Sequence, residues 1–166
     1  MKSFAEIAFT PAVQAAQQRY GSRTARTGAA PHGLGPVETG YLTAADSFYL
    51  ATVSETGWPY VQHRGGPRGF LQVVSPTRLS FPDFRGNRQY VSVGNVDKDD
   101  RASMIIVDYV NRRRLKLLGR LRFDAAGADA DLPHYSARVE RIATFDVEAF
   151  DWNCPQHITP RPTCSP

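Results

Sequence analysis

The run LSFPDFRGNRQYVSVGN, Leu79 to Asn95, starts as a strand and passes into a loop where Arg85 and Arg88 flank Gly86 and Asn87. Upstream lies ATVSETGWPYVQHRGG, Ala51 to Gly66, which adds strand residues around a turn. Together they predict strands feeding a loop that opens a helix, a layout suited to an anionic group. Helix-opening amides and arginines attract phosphate, and a glycine lets backbone approach it. Asn87 is the expected helix cap and Arg88 to Val96 the expected helix. Val91, Ser92, Val93 and Gly94 all disfavour helix, so the pattern alone also allows a strand. A surface turn with incidental arginines is the plain alternative for residues 81–88.

The surrounding pattern is mainly β. Phe48 to Ser54 and Pro59 to Arg64 form a hairpin about Glu55-Thr56-Gly57. Phe70 to Val74 and Arg78 to Phe81 form a second pair across Ser75-Pro76-Thr77. Ser103 to Tyr109 is apolar and β-branched, which predicts a buried strand. Arg114 to Phe123 suits a strand, and Ala137 to Val147 suits another with a slip that reads as a bulge. Ala125 to Asp131 reads as a turn and the chain from Asp151 as an irregular tail. Two helices precede the strands: Thr10 to Tyr20, capped by Thr10 with Pro11 at its first position, and Glu38 to Ala45. Gly21 to Pro36 reads as an exposed connection. Short strands with turn signals predict a β-barrel or sandwich with peripheral helices.

The totals narrow the class. A chain of 166 residues suits one domain, and 42% hydrophobic with 22% charged residues suits a soluble globule. No apolar run approaches the about 18 residues of a membrane span, and the N-terminus lacks the apolar region of a secretory signal. Cys154 and Cys164 have neither a CxxC partner nor histidines at metal spacing, so a reduced, cytoplasmic chain without a metal site is expected. The net charge of +4 rests on arginine, whose planar fork suits phosphate or carboxylate.

Three motifs stand out: RGGPRGF at Arg64 to Phe70, FPDFRGNRQ at Phe81 to Gln89, and WNCPQHITPR at Trp152 to Arg161. With these motifs, residues 45–161 resemble the FMN-binding split-barrel family related to pyridoxamine 5'-phosphate oxidase, in its flavin-nucleotide-binding branch. The resemblance implies a six-stranded antiparallel split β-barrel with peripheral helices. It implies an N-terminal helical segment and linker over 1–44 and an FMN-binding barrel domain with a C-terminal tail over 45–166. It further implies a homodimer with FMN at the subunit interface. FMN contacts would come from Gln62, His63, Arg64 and Gly65. A phosphate turn would supply Phe81, Pro82, Asp83, Arg85, Asn87, Arg88 and Gln89, with Arg85, Asn87 and Arg88 at the phosphate itself. Arg114, five residues before Gly119, matches a further polar contact, and Trp152 a flavin-side contact from the partner chain.

Departures from the oxidase branch are specific. Gln62 and Pro67 stand where that branch has Arg and Lys, and Arg88-Gln89 stands for its Arg-Lys, with Arg85 as an added charge. Its substrate motif R-x-H-x-R is replaced around His157, where Pro155 and Thr159 occupy the arginine positions. The expected function is an FMN-dependent oxidoreductase acting on a small molecule. The alternatives are an FMN-binding storage or stress protein without efficient turnover, and a basic β-barrel binding nucleic acid through Arg112 to Arg122. No nucleophile–base pair or paired-carboxylate motif emerges, so catalytic residues are unassigned and chemistry would fall to the flavin. Arg64 or Arg114 would stabilise a reduced, anionic ring. Asp83 is expected to hold Arg85, with a bond to a ribityl hydroxyl as the alternative. Gly65 and Gly66 are expected to let backbone lie close to the ring. His63 either lines the flavin or sits half-buried on the barrel wall. Arg112 and Arg114 are expected on one face of a strand, with Arg113 on the other.

Overall fold

The computed structural model describes residues 1–22, 31–152 and 155–162; both cysteines and part of the 21–36 connection lie outside them. Three helices lead the chain: α1 (Phe4–Ala8), α2 (Pro11–Arg19) and α3 (Pro36–Thr43). Thr10 caps α2 with Pro11 in its first turn, as the sequence predicts, and Ser3 and Glu6 close a capping box on the short α1 that the sequence reading did not single out. The strands are β1 (Ser47–Val53), β2 (Pro59–Gly65), β3 (Gln72–Ser75), β4 (Arg78–Phe84), β5 (Arg101–Asp108), β6 (Arg113–Ala125) and β7 (Val139–Trp152). A fourth helix, α4 (Val91–Val96), joins β4 to β5.

All seven strands form one antiparallel sheet in the order β2-β1-β5-β6-β7-β4-β3. The resemblance implies six strands and the sheet has seven, of which β3 is a four-residue edge paired only to β4. The sheet coils until β1 and β2 meet β4, which is far from them in strand order. Phe48 of β1 lies edge-on to Phe81 of β4 with ring centroids 5.0 Å apart, and Arg64 of β2 pairs with Asp83 of β4. That curl is the split barrel. Inside it are Phe48, Leu50, Leu79, Met104, Leu117 and Phe145, all essentially inaccessible. Each such side chain contributes about 1.5–3 kcal/mol on burial, so the barrel interior dominates stability.

Two elements differ from expectation. Strand β4 continues past Phe81 to Phe84, because Pro82 and Asp83 pair with Ile142 and Arg141 of β7. Strand β7 also runs further, to Trp152, with its bulge at Glu148 opposite the step from Leu118 to Gly119. Its inward residues include Val139, Ala143, Phe145 and Val147, while Ile142 is only partly covered. Gly119 at that step is forced: a Cβ there would strike the Asp146 carbonyl oxygen and come within 2.8 Å of the Phe145 ring.

Tyr41 ties α3 to the barrel end. Its hydroxyl accepts from the Asp108 N–H at 3.0 Å and lies 3.1 Å and 3.0 Å from the Ile106 and Arg113 carbonyls, to one of which it donates. Burial is the main cause that pushes its pKa from 10.0 up to about 12. A phenol whose folded pKa is raised contributes stability that is complete below the unfolded value and lost as pH rises through the folded one. We therefore expect alkaline loss of stability between pH 10 and about 12. In Tyr41→Phe the pH-dependent part should vanish, and baseline stability should fall by about 1–3 kcal/mol from the orphaned backbone groups. Urea titrations at pH 8 and pH 11 measure both; an unchanged alkaline slope in the variant would remove Tyr41 as its cause.

Candidate functional site

Alternation along β2 sends Tyr60, Gln62 and Arg64 to the barrel side and Val61 and His63 outward. The end of β4 presents Asp83, and residues 86–93 arch over the gap. These groups line one cavity of about 230 Å³, which also receives Tyr90, Glu140 and Arg141. Of the thirteen residues expected at the flavin, Gln62, Arg64, Asp83, Asn87, Arg88 and Gln89 meet here.

The loop's conformation is unusual. Arg88 and Tyr90 both adopt left-handed backbone, with φ of 62° and 52°. Each costs about 1–3 kcal/mol for a non-glycine residue and persists only where surroundings impose it. Asn87 does not cap the helix as expected. Its Oδ1 instead accepts the Gln89 N–H at 3.2 Å, and the helix begins after Tyr90. A left-handed residue cannot lie inside a helical turn, so α4 starts three residues later than the sequence suggests. It is six residues long and poor in intrinsic propensity, so tertiary bonds hold it. Ser92 Oγ donates to Gln62 Oε1 at 3.1 Å, and Asn95 Nδ2 donates to Thr52 Oγ1 at 2.9 Å. With Gln62 Oε1 engaged, its Nε2 is left as a donor for the cavity.

The electrostatic centre is Asp83, 3% exposed. It accepts from Arg64 on one side and from Arg141 Nε at 2.7 Å on the other. Asp83 therefore does not hold Arg85, and the expected pairing is corrected: Arg85 turns to Glu140, with Nε 3.5 Å from Oε1. Burial is the largest single influence and works against the Arg141 charge, but the Asp83 bond together with the charges of Asp83 and Glu140 outweighs it and raises the Arg141 pKa. The Arg141 guanidinium lies 4.7 Å from the Tyr90 ring centroid, and Glu140 takes bonds from Arg141 at 3.2 Å and Tyr90 Oη at 3.3 Å. Arg141, Glu140 and Tyr90 were not among the expected residues. The cavity wall thus carries Arg64, Arg88 and Arg141 against Asp83 and Glu140, a net positive lining. Arg64 Nε is buried and has no partner among the described residues.

The remaining expected residues lie elsewhere. Phe81 is core, and Pro82 faces away from the cavity in β4. His63 is exposed on the outward face, edge-on to Tyr49 with centroids 5.5 Å apart. A Cβ on Gly65 would touch His63, and one on Gly66 would strike the Phe70 ring at 2.7 Å, so the Gly66 space is filled by Phe70. Arg112 sits in the turn before β6 with φ 52°, so the strand parity expected for it does not apply. Arg113 stacks on Trp152 and Tyr41, at 4.5 Å and 5.3 Å from the ring centroids. Trp152 Nε1 donates to Glu38 Oε1 at 2.7 Å, pinning β7 to α3 within one chain. Burial opposes ionisation of Glu38, but the Trp152 and backbone N–H bonds outweigh it and hold its pKa below the usual value. Arg114, in register with Val107, faces outward from β6, and its Nε is buried without a partner among the described residues. Arg78, Arg101, Arg120 and Arg122 are balanced by acids, including Arg78 with Asp146 at 2.5 Å and Arg120 with Asp100 at 2.6 Å and Glu148 at 2.9 Å.

The family model for pyridoxamine 5'-phosphate oxidase matches residues 39–152. No curated protein matches the chain. Solved structures with the same fold include a Lactobacillus delbrueckii protein carrying that oxidase name as a provisional assignment, at 16% identity and TM-score 0.56. The match covers 73% of this chain and 95% of that one. HupZ of Group A Streptococcus matches at 13% identity and TM-score 0.53, over 78% of this chain and 100% of its own. An FMN-binding protein of Syntrophomonas wolfei matches at 11% identity and TM-score 0.51, over 68% and 80% of the two chains. At these identities the likeness concerns the fold.

Proposed function

The chain belongs to the pyridoxamine 5'-phosphate oxidase family, and from that premise we propose that it is an FMN-binding flavoprotein acting as an oxidoreductase on a small molecule. The observation that carries this reading is the convergence of Gln62, Arg64 and Asn87 to Gln89 on one cationic cavity. Its donor set fits a phosphate: three guanidinium groups, side-chain amides, and a buried Arg64 Nε lacking an acceptor among the described residues. Arg88 is exposed and in no ion pair among the described residues, so it is the most available cation. Gln62 and Gln89 would orient the polar chain that follows the phosphate. Bound FMN would supply two-electron redox chemistry. Arg64 acts on it only through the charge left over from its pairing with Asp83.

The cavity volume, about 230 Å³, is below the roughly 300–1,000 Å³ of complete small-molecule sites. One chain therefore offers the phosphate end, and the reading requires a second surface for the ring. The outward face of β2, β1 and β5 is suited to a second copy. Val61 is 61% exposed and Tyr49 36%, with Ile105 and Val107 beside them. Arg114 stands on that face, where it would reach a ligand held by the other subunit. A homodimer with FMN at the interface is thus part of the proposal.

Purified protein is expected to be yellow and to release an FMN-sized mass on denaturation; a colourless protein that takes up no added FMN would end the reading. In Arg88→Ala, loss of a charge-assisted bond of about 1.5–3 kcal/mol should weaken FMN roughly 10- to 100-fold, measured by calorimetry. Unchanged affinity would remove the loop from the site. Anaerobic bleaching by NADH or NADPH separates an oxidoreductase from a storage protein.

A further inference from the structure

Helix α2 has almost no cover from its own chain. None of its nine residues is buried, and only Gln17 is partly covered. Its side-chain hydrogen bonds are local: Thr10 Oγ1 accepts the Val13 N–H at 3.4 Å, and Gln14 Nε2 donates to the Phe9 carbonyl at 2.9 Å. A helix this short is marginal in water by itself, since about 12–15 residues are needed even for good helix formers. Val13, Ala16 and Tyr20, spaced i, i+3 and i+7, make one stripe that faces solvent, with Val13 37% and Tyr20 80% exposed.

Helix α1 moors this arm on the outward side of the barrel. Lys116 Nζ lies 4.4 Å from the Phe4 ring centroid, and the Lys2 N–H donates to the Glu148 carbonyl at 3.0 Å. Between α1 and the sheet runs a groove of about 610 Å³, with Ile7 of α1 along its side. Its floor is a row across three strands, in which Ala51 pairs with Ser103 and Ser103 with Leu118. The same row continues from Ala51 to Val61, so the groove prolongs the face of β2, β1 and β5. Pro59 lines its open end, beside Trp58, which is 75% exposed. The charges around the groove cancel: Lys2 offsets Glu6, Asp99 holds Arg101, and Asp100 and Glu148 hold Arg120. A neutral rim selects neither an acidic nor a basic partner, and two such rims meet without like-charge repulsion. Only Phe9 and Thr10 separate α1 from α2, so α2 starts at the edge of this face. A single twofold axis would cover both grooves and lay each α2 against the other copy.

We propose that α2 is a clasp on a second copy of this chain. The copy seats on β2, β1 and β5, reaches into the groove beside α1, and is gripped by the stripe of Val13, Ala16 and Tyr20. This rests on the second-copy part of the flavin reading and assigns the helical arm to it, without depending on the flavin itself.

The test is sedimentation velocity of the full chain over a concentration series, for wild type, Ala16→Glu, Ala15→Glu and Ala51→Glu. Circular dichroism checks that each is folded. Ala15 and Ala16 are both exposed but lie on different faces of α2, so one substitution reads the two sides of the helix. Wild type is expected to be a dimer at micromolar concentration, with Trp58 emission moving to longer wavelength on dilution. Ala16→Glu and Ala51→Glu should each raise the dissociation constant about tenfold or more, whereas Ala15→Glu should stay within about twofold of wild type. Equal effects of Ala15→Glu and Ala16→Glu, or none from either, overturn the clasp. A wild-type chain that stays monomeric at tens of micromolar overturns it too. Should Ala51→Glu not fold, the Ala15 and Ala16 pair decides alone. The flavin reading is judged separately: a colourless dimer weakened by Ala16→Glu alone of that pair, and taking up no FMN, ends the flavin reading and keeps the clasp. An FMN-loaded monomer ends the clasp and keeps the flavin.

Discussion

Asp83→Ala is expected to lower stability by about 3–5 kcal/mol, because truncation leaves two half-buried guanidinium groups facing each other without their shared anion. Arg64 and Arg141 reach Asp83 from opposite sides, and both are largely covered, at 14% and 22% side-chain exposure. The Arg64 contact joins strands that are not neighbours in the sheet, so the loss falls on closure of the barrel. Asp83→Asn keeps one acceptor oxygen and should lose less than the alanine variant. Chemical denaturation of the three proteins, with near-ultraviolet circular dichroism to follow aromatic packing, measures this. A cost below about 1 kcal/mol for Asp83→Ala, the level of an exposed ion pair, would show that the bridge contributes no more than a surface one.

Gly119→Ala should be comparably damaging for a steric reason. The added methyl meets the Asp146 backbone oxygen and the Phe145 ring at the point where the β6–β7 register steps. Overpacking commonly costs about 1–3 kcal/mol, and a backbone oxygen inside a ladder cannot rotate away, so about 3 kcal/mol or more is expected. At roughly 2–4 °C per kcal/mol for a chain of this size, the melting temperature should drop by about 6–12 °C. Gly127→Ala, with open space around it, serves as control and should stay within about 0.5 kcal/mol of the parent. Equal melting temperatures for the two variants would contradict the packing described at the bulge.

Much of the barrel was legible because strand alternation is local. FYLATV and SMIIVDY announce their inward faces, and Thr10-Pro11 announces a helix start, without reference to distant residues. The candidate site was legible only in part. Gln62, Arg64 and Arg88 came from motifs, whereas Arg141 and Glu140 depend on the β4–β7 register, which a single motif does not contain. A signal for Arg141 was nonetheless present. It shares inward parity with Val139, Ala143 and Phe145, so a charge sits where the strand otherwise buries apolar groups. The late start of α4 was hidden because left-handed Arg88 and Tyr90 are residues that rarely adopt that conformation, and no glycine or asparagine marks either position. Arg85 was misplaced because its direction follows from Glu140, on another strand.

The bridge from Asp83 to Arg141 spans 58 residues of chain, and the pairing of β1 with β5, from Tyr49↔Ile105 to Thr52↔Ala102, joins residues fifty or more apart. Contacts this distant close slowly, since loop entropy must be overcome before they contribute. During synthesis, a chain that ends before Val139 has made Gln62, Arg64 and Arg88 but lacks the strand that orders Asp83 between its two arginines. The cavity between β2, β4 and residues 86–93 therefore comes into being with the last strand rather than growing with the chain. On the proposed flavin reading, ligand capture would follow completion of the barrel, and retention of FMN by a truncated or nicked chain would report whether β7 is seated.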